Sequence, residues 1–301
     1  MRVFITGASG HVGSALVPEL LHNGHQVLGL ARSDESAKRL TEWGAEAVRG
    51  DLDDLDRIGA AAGAADGVVH LAFRHDAMQA GDLAGAAESD LAALRTIGDA
   101  LAGTGKPLVS TSGTAMLAAV AKGRVATEED YDPNGGYRID AENLVVDLAG
   151  RGIRSSVLRL PPITHSRLDH HGFAPTLISF ARKNGFAAYV GDGTNRWSSV
   201  HTLDAARLYR LALESAPAGS RLHAIQDEGI EFRVIAEAIG KGLGLPARSV
   251  TADEAPQYLG FLSHFAALGI PTSATRTREL LNWQPTHPDL LADLAAGFYF
   301  A

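Results

Sequence analysis

Along the chain, short apolar runs alternate with stretches whose apolar residues recur at helical spacing. Val3 to Ile5 is such a run, broken at Gly7; from His11 onward Val12, Leu16 and Leu20 share one helix face. Gln26 to Leu30 is the next run, followed by a helical stretch from Ala37 to Trp43 and a short strand, Ala45 to Val48. Val68 to Phe73 reads as a fourth strand and the loop leaving it, passing over the centre of any ligand held at the strand ends. A long helix from Asp82 to Ala102 aligns Leu83, Ala87, Leu91, Leu94 and Leu101. A strand from Pro107 to Ser110, a helix from Tyr137 to Ala149 and a strand from Ile153 to Leu160 continue the alternation. The pattern predicts an α/β fold: a Rossmann-type, doubly wound parallel sheet of six strands.

The period breaks at Pro161-Pro162. Mixed short strands and helices follow, including a strand over Trp197 to Thr202 and a last helix over Leu290 to Ala296 with an aromatic tail that should pack. They predict a smaller C-terminal substrate-binding lobe over the strand ends. The expected division is 1–160 for the nucleotide-binding part and 161–301 for the lobe, interleaved with it rather than independent.

The first strand-to-helix turn reads Thr6-Gly7-Ala8-Ser9-Gly10-His11-Val12-Gly13, a G-x-x-G-x-x-G pattern. Glycines there permit a sharp bend and let a pyrophosphate approach the backbone, with helix N–H groups behind it. An ordinary glycine-rich turn would look the same by itself; the second strand at βαβ spacing points to dinucleotide binding. That strand ends Ala31-Arg32-Ser33, with no acid before Asp34. An acid would serve the ribose hydroxyl of NAD, whereas Arg32 can fork onto the extra phosphate of NADP and Ser33 can add a hydroxyl. NADP(H) is therefore the expected cofactor, with NAD(H) as the alternative. Asp51 and Leu52, after the third strand, read either as an adenine contact or, for Asp51 or Asp53, as a helix N-cap.

Composition narrows the partners. The 301 residues carry a formal charge of −8 and no basic cluster of the kind nucleic acid requires. There is no cysteine, which excludes disulfides and thiolate catalysis. The chain enters its first strand at once, and no apolar stretch approaches a membrane span, so a cytoplasmic protein with a small-molecule substrate is expected. A homodimer is compatible with all of this.

Several stretches resemble the short-chain dehydrogenase/reductase superfamily, in its extended branch. They are the Thr6 to Gly13 turn, Gly50-Asp51-Leu52, Val109-Ser110-Thr111-Ser112, Val200-His201-Thr202-Leu203-Asp204-Ala205-Ala206 and Arg278-Glu279-Leu280-Leu281-Asn282-Trp283-Gln284-Pro285. The resemblance implies a nicotinamide cofactor touched by Thr6, Gly7, Ser9, Gly10, His11, Val12, Gly13, Arg32, Ser33, Asp51, Leu52, Leu71, Ala72, Phe73 and Pro161. It also implies a catalytic Ser-Tyr-Lys set. Ser112 and Tyr137 match the first two, although a strand-end hydroxyl and a core aromatic would look alike. The lysine is absent: Ala141 stands four residues after Tyr137. Arg138 is expected to point elsewhere. Atypical members of the superfamily show such a loss.

A phenol without that lysine stays protonated at neutral pH, with a pKa near ~10, so it can donate a proton but is a poor base. The expected function is NADPH-dependent reduction of a small carbonyl compound to an alcohol. The alternatives are an epimerase or dehydratase, or a non-catalytic NADP-binding sensor. His165, after the sixth strand, reads equally as an acid-base group or a structural histidine; Thr114 is placed on the substrate side, as is His201, for which a structural role is the favoured alternative. His70 reads as a satisfied strand-end histidine. Asp169-His170-His171 lacks metal-site geometry, and no metal is expected.

Overall fold

The central sheet of the computed structural model, which describes residues 1–79 and 81–301, has seven strands rather than six. Six are the expected runs: β1 (Arg2–Thr6), β2 (Gln26–Ala31), β3 (Glu46–Arg49), β4 (Gly67–His70), β5 (Pro107–Gly113) and β6 (Arg154–Leu160). Between them lie α1 (His11–His22), α2 (Asp34–Glu42), α3 (Leu55–Ala64), α4 (His75–Gln79), α5 (Leu83–Leu101), α6 (Ala118–Ala121) and α7 (Arg138–Asp147). Beyond residue 160 come β7 (Ile163–His165), α8 (Phe173–Asn184), β8 (Ala187–Val190), β9 (Arg196–His201), α9 (Thr202–Ser215), β10 (Ser220–His223) and β11 (Asp227–Glu231). The chain ends through α10 (Phe232–Leu243), β12 (Ala247–Val250), α11 (Ala255–Leu259), α12 (Ser263–Ala266), α13 (Thr275–Leu281) and α14 (Leu290–Ala295).

The strand order is β10-β6-β5-β4-β1-β2-β3, every neighbouring pair parallel. The order reverses between β1 and β4, where a doubly wound sheet opens a crevice at its carboxyl edge. Alternate residues of each strand serve opposite layers. Val3 and Ile5 pack with Leu16, Tyr209 and Leu213 of α1 and α9, whereas Phe4 packs with Ile58 and Ile97 of α3 and α5.

The seventh strand comes from beyond residue 160 and shows where the C-terminal part interleaves with the sheet. β10 pairs with β6, Ser220 opposite Ser156 and His223 opposite Arg159. α9 also returns to the sheet, tied to α1 by Arg210 Nε–Glu19 (2.7 Å) and His25 Nε2–Glu214 (3.0 Å). Residue 160 is thus where the chain first leaves the sheet, not where it leaves for good. The sequence Ser220-Arg221-Leu222-His223 offers one apolar residue, too little for a pattern-based strand.

The rest of the C-terminal half forms a β11-β9-β7 sheet and a β12-β8 pair around a second core. Trp197 and Phe232 meet edge to face at 4.8 Å inside it. The two C-terminal motifs bind each other. Asp204, at the start of α9, accepts from Thr286 N–H (3.0 Å) and His287 N–H (2.9 Å), while Trp283 Nε1 donates to the Asp204 carbonyl (3.0 Å). The aromatic tail packs as expected: Tyr299 OH donates to Asp169 (3.1 Å) and accepts from Ser166 N–H (3.1 Å).

Candidate active site

The glycine turn is built as a cradle. Gly7 has φ 70°, and a Cβ there would fall 2.8 Å from Ala72 N. A Cβ on Gly13 would overlap the Ala8 carbonyl. Gly10 differs: it is exposed, and its Cβ would approach only the Gly7 carbonyl, at 3.2 Å. Gly10 also begins α1, whose first turn has neither a side-chain cap nor an acid. Uncapped N–H groups beside an open glycine suit an anion.

Thr6 fixes the loop after β4. His70 Nε2–H donates to Asp90 (2.9 Å), so Nδ1 accepts from the Thr6 hydroxyl (2.9 Å), which in turn accepts from Ala72 N–H (3.3 Å). His70 is buried with both ring nitrogens occupied, as a structural histidine should be. Leu71, Ala72 and Phe73, in the loop after β4, are half-buried, and Pro161 is buried at the end of β6.

At the end of β2, Arg32 is exposed and enters no ion pair among the described residues. Ser33 is occupied: its hydroxyl caps α2, accepting from Ser36 N–H (3.1 Å) and donating to Ser36 Oγ (3.0 Å). Arg39, unremarked in the sequence, reaches back from α2 to the Ser9 carbonyl (3.4 Å). The capping alternative after β3 is corrected too. The N-cap position of α3 is Asp54, whose side chain makes no cap, while Asp51 accepts from Asp53 N–H (2.9 Å) and Asp53 pairs with Arg74 (2.8 Å). Leu52 is buried in the core below.

The end of β5 holds the main departure. Gly135, Gly136 and Tyr137 all have positive φ (78°, 111° and 44°). That turn leaves Tyr137 outside the helix and 61% exposed, and it starts α7 at Arg138. Tyr137 therefore does not face the sheet end from a first helical turn. Arg138 does, against expectation: its NH2 donates to the Thr111 carbonyl (2.9 Å), and its guanidinium carbon lies 4.1 Å over the Phe73 ring. Ala141, where the lysine would be, is buried against Leu94, Val145 and Val157.

Four residues after Arg138 on the same helix comes Glu142, also directed at the sheet. Burial pushes its carboxyl upward, but Arg159, Ser112 and Arg221 together hold it below the ordinary range. Arg159 binds it through Nε (3.0 Å) and NH2, and Arg221 through Nε (3.1 Å). Arg159 NH1 also donates to His223 Nε2 (2.9 Å), because His223 Nδ1–H is given to the Ser273 carbonyl (2.8 Å). Burial and Arg159 lower that imidazole to about 4. Ser112 lies beside Glu142, yet neither its Oγ nor Thr114 Oγ1 has a partner at hydrogen-bond geometry, although both are buried.

Histidines gather between the glycine turn and the C-terminal half. His11 Nε2 meets Thr202 Oγ1 (2.9 Å), and burial, then His170, His165 and His171, lower its pKa to about 4. Asp169, nearby, is raised to about 6 by burial. His165 is fully buried, with Nδ1 on Asp293 (2.7 Å) and Nε2 unpartnered. His201 is stacked on His287 (centroids 4.6 Å) and likewise lowered to about 4, chiefly by burial. His201, Asp204 and His287 are the one His/Asp group whose atoms converge among the described residues. Asp204 is already engaged by the backbone N–H groups of Thr286 and His287, so this cluster reads as packing, while His170 and His171 are exposed.

Residues 3–225 match the NAD dependent epimerase/dehydratase family, and the chain belongs to it. It is 43% identical over 301 residues to an uncharacterized protein of Schizosaccharomyces pombe, covering 100% of both. It is 30% identical over 311 residues to a 3-diazoavenalumate denitrifying reductase of a Streptomyces species, covering 96% of this chain and 97% of that one. The fold matches a dTDP-glucose 4,6-dehydratase from Streptomyces venezuelae with a TM-score of 0.80 at 20% identity, over 99% and 96% of the two chains. Family members bind NAD, and the glycine cradle with its uncapped helix suits such a dinucleotide. Among the described residues, no helix is long and apolar enough to cross a membrane.

Proposed function

We propose that the chain is an NADPH-dependent reductase that adds hydride to the carbonyl carbon of a small substrate. The exchange on α7 carries this reading: a guanidinium at the strand end, and apolar packing where the lysine would stand. A guanidinium remains charged across the working pH range and can hold the oxygen that gains negative charge. A bound dihydronicotinamide supplies the hydride; water supplies the proton that completes the alcohol. Tyr137, facing solvent, is not required for this step.

Alcohol oxidation and epimerisation begin by removing a proton from a hydroxyl, and the neighbours of Arg138 are poor at that. Glu142 is bound by two arginines. Burial and Arg138 lower the pKa of His75, so a proton taken there would sit beside a guanidinium. NADPH is favoured over NADH because Arg32 enters no ion pair among the described residues, whereas Asp34, the first acid after β2, turns to Arg49 (3.3 Å). Ser112 and Thr114 carry buried hydroxyls without partners among the described residues and are the further polar groups of the proposed site. The reductase name of the Streptomyces relative supports the reductive direction. The family equally includes epimerases and dehydratases. Incubation with NADPH and a ketone panel separates the two: net cofactor consumption supports the reductase, and conversion of sugar nucleotides without net consumption supports the epimerase or dehydratase.

A further inference from the structure

Arg138 is a half-buried cation whose counter-charge is not supplied by its neighbours. The acids around the strand ends are committed to other groups. Glu142 serves Arg159 and Arg221, Asp90 serves His70, and Asp53 and Asp76 serve Arg74. Among the described residues, no carboxylate pairs with Arg138, and its Nε–H is buried without an acceptor. Stacking on Phe73 fixes the plane of the guanidinium, and the Thr111 carbonyl fixes its rotation. The fork is thus held still, at the cost of desolvation, with donors to spare.

We propose that Arg138 receives a substrate carboxylate, and that the substrate is an oxo acid whose keto oxygen shares the same guanidinium. This deepens the reductase reading and rests on it. The carboxylate forms the missing ion pair, and a keto group one or two carbons away lies within reach of the same fork. NADPH gives hydride to the keto carbon, so a C–H bond forms while the C=O π pair moves to oxygen. Water protonates that oxygen, leaving a hydroxy acid and NADP⁺. The carboxylate is unchanged. Phe73, and His75 edge-on to it at 5.3 Å, form an aromatic wall beside the cation.

The test uses 2-oxobutanoate and 3-oxobutanoate against their methyl esters, with the full-length protein and NADPH. The acids should exceed the esters in kcat/KM by roughly 10- to 100-fold, the worth of a charge-assisted bond. Arg138→Gln should remove that preference, and Arg138→Lys should keep part of it. Binding is read separately: 2- and 3-hydroxybutanoate and their esters are titrated calorimetrically into the NADP⁺-loaded protein. Tighter binding of the acids, lost in Arg138→Gln, supports the carboxylate site even where no NADPH is consumed; the reductase reading alone then fails. Equal binding of acids and esters, no binding of either, or a preference that survives Arg138→Gln overturns the proposal.

Discussion

At the scale of single residues, the site turns on a displacement of one position along α7. Ser112 and Tyr137 stand at the spacing that suggests a proton relay, but the turn through Gly135 and Gly136 carries the tyrosine past the helix start. The residues that face the sheet from α7 are Arg138 and Glu142, a cation and a carboxylate where the family pattern has a phenol and a cation. An i,i+4 Arg–Glu pair is visible in the sequence, yet nothing in it says which helix face meets β5. That depends on a positive φ at Tyr137, a conformation uncommon outside glycine. The proposed role of Arg32 rests on its place at the end of β2, where a doubly wound sheet makes its ribose contact. Arg32→Ala should weaken NADPH binding by about 1–3 kcal/mol and leave NADH little changed. Equal losses in a fluorescence titration of the two cofactors would refute the phosphate assignment.

At the scale of elements, the glycine turn contains two kinds of glycine. Gly7 and Gly13 are required by the protein's own backbone, whereas Gly10 borders open space. Gly10→Val should leave the melting temperature near that of the parent and abolish nucleotide binding, because the side chain takes the phosphate's place. Gly13→Val should instead destabilise the fold, since the Ala8 carbonyl would have to move. Melting curves with and without NADPH distinguish the two, and a Gly10→Val protein that still binds would make the turn merely structural. The βα alternation was legible because each buried strand is a continuous apolar run. β10 was not, since its place is set by pairing with β6 rather than by its own residues. The two C-terminal motifs were visible as patterns, but their mutual hydrogen bonds through Asp204 and Trp283 emerge only in three dimensions.

At the scale of the whole molecule, buried histidines make the fold acid-sensitive. His11, His201 and His223 are lowered from 6.5 to about 4. The unfolded chain therefore binds protons first as pH falls through 6.5, and stability is lost until about pH 4. Asp169 acts in the opposite sense: raised from 3.8 to about 6, it favours the folded state over that interval as pH falls. Three imidazoles outweigh one carboxyl. Stability should fall by roughly 2–5 kcal/mol between pH 7 and 4, as read by urea unfolding, with a shallower slope in His11→Gln. A flat or rising profile would show that these imidazoles are not held neutral.

The central claim is that the strand-end cation, not the tyrosine, activates the substrate. The most direct measurement is kcat/KM for NADPH-dependent reduction of the preferred ketone by Arg138→Met and Tyr137→Phe, side by side with the parent. Removal of a group that stabilises developing charge should lower the Arg138→Met value by roughly 10²–10³, and Tyr137→Phe should remain within a few-fold of the parent. A Tyr137→Phe enzyme that loses activity while Arg138→Met retains it would contradict the account.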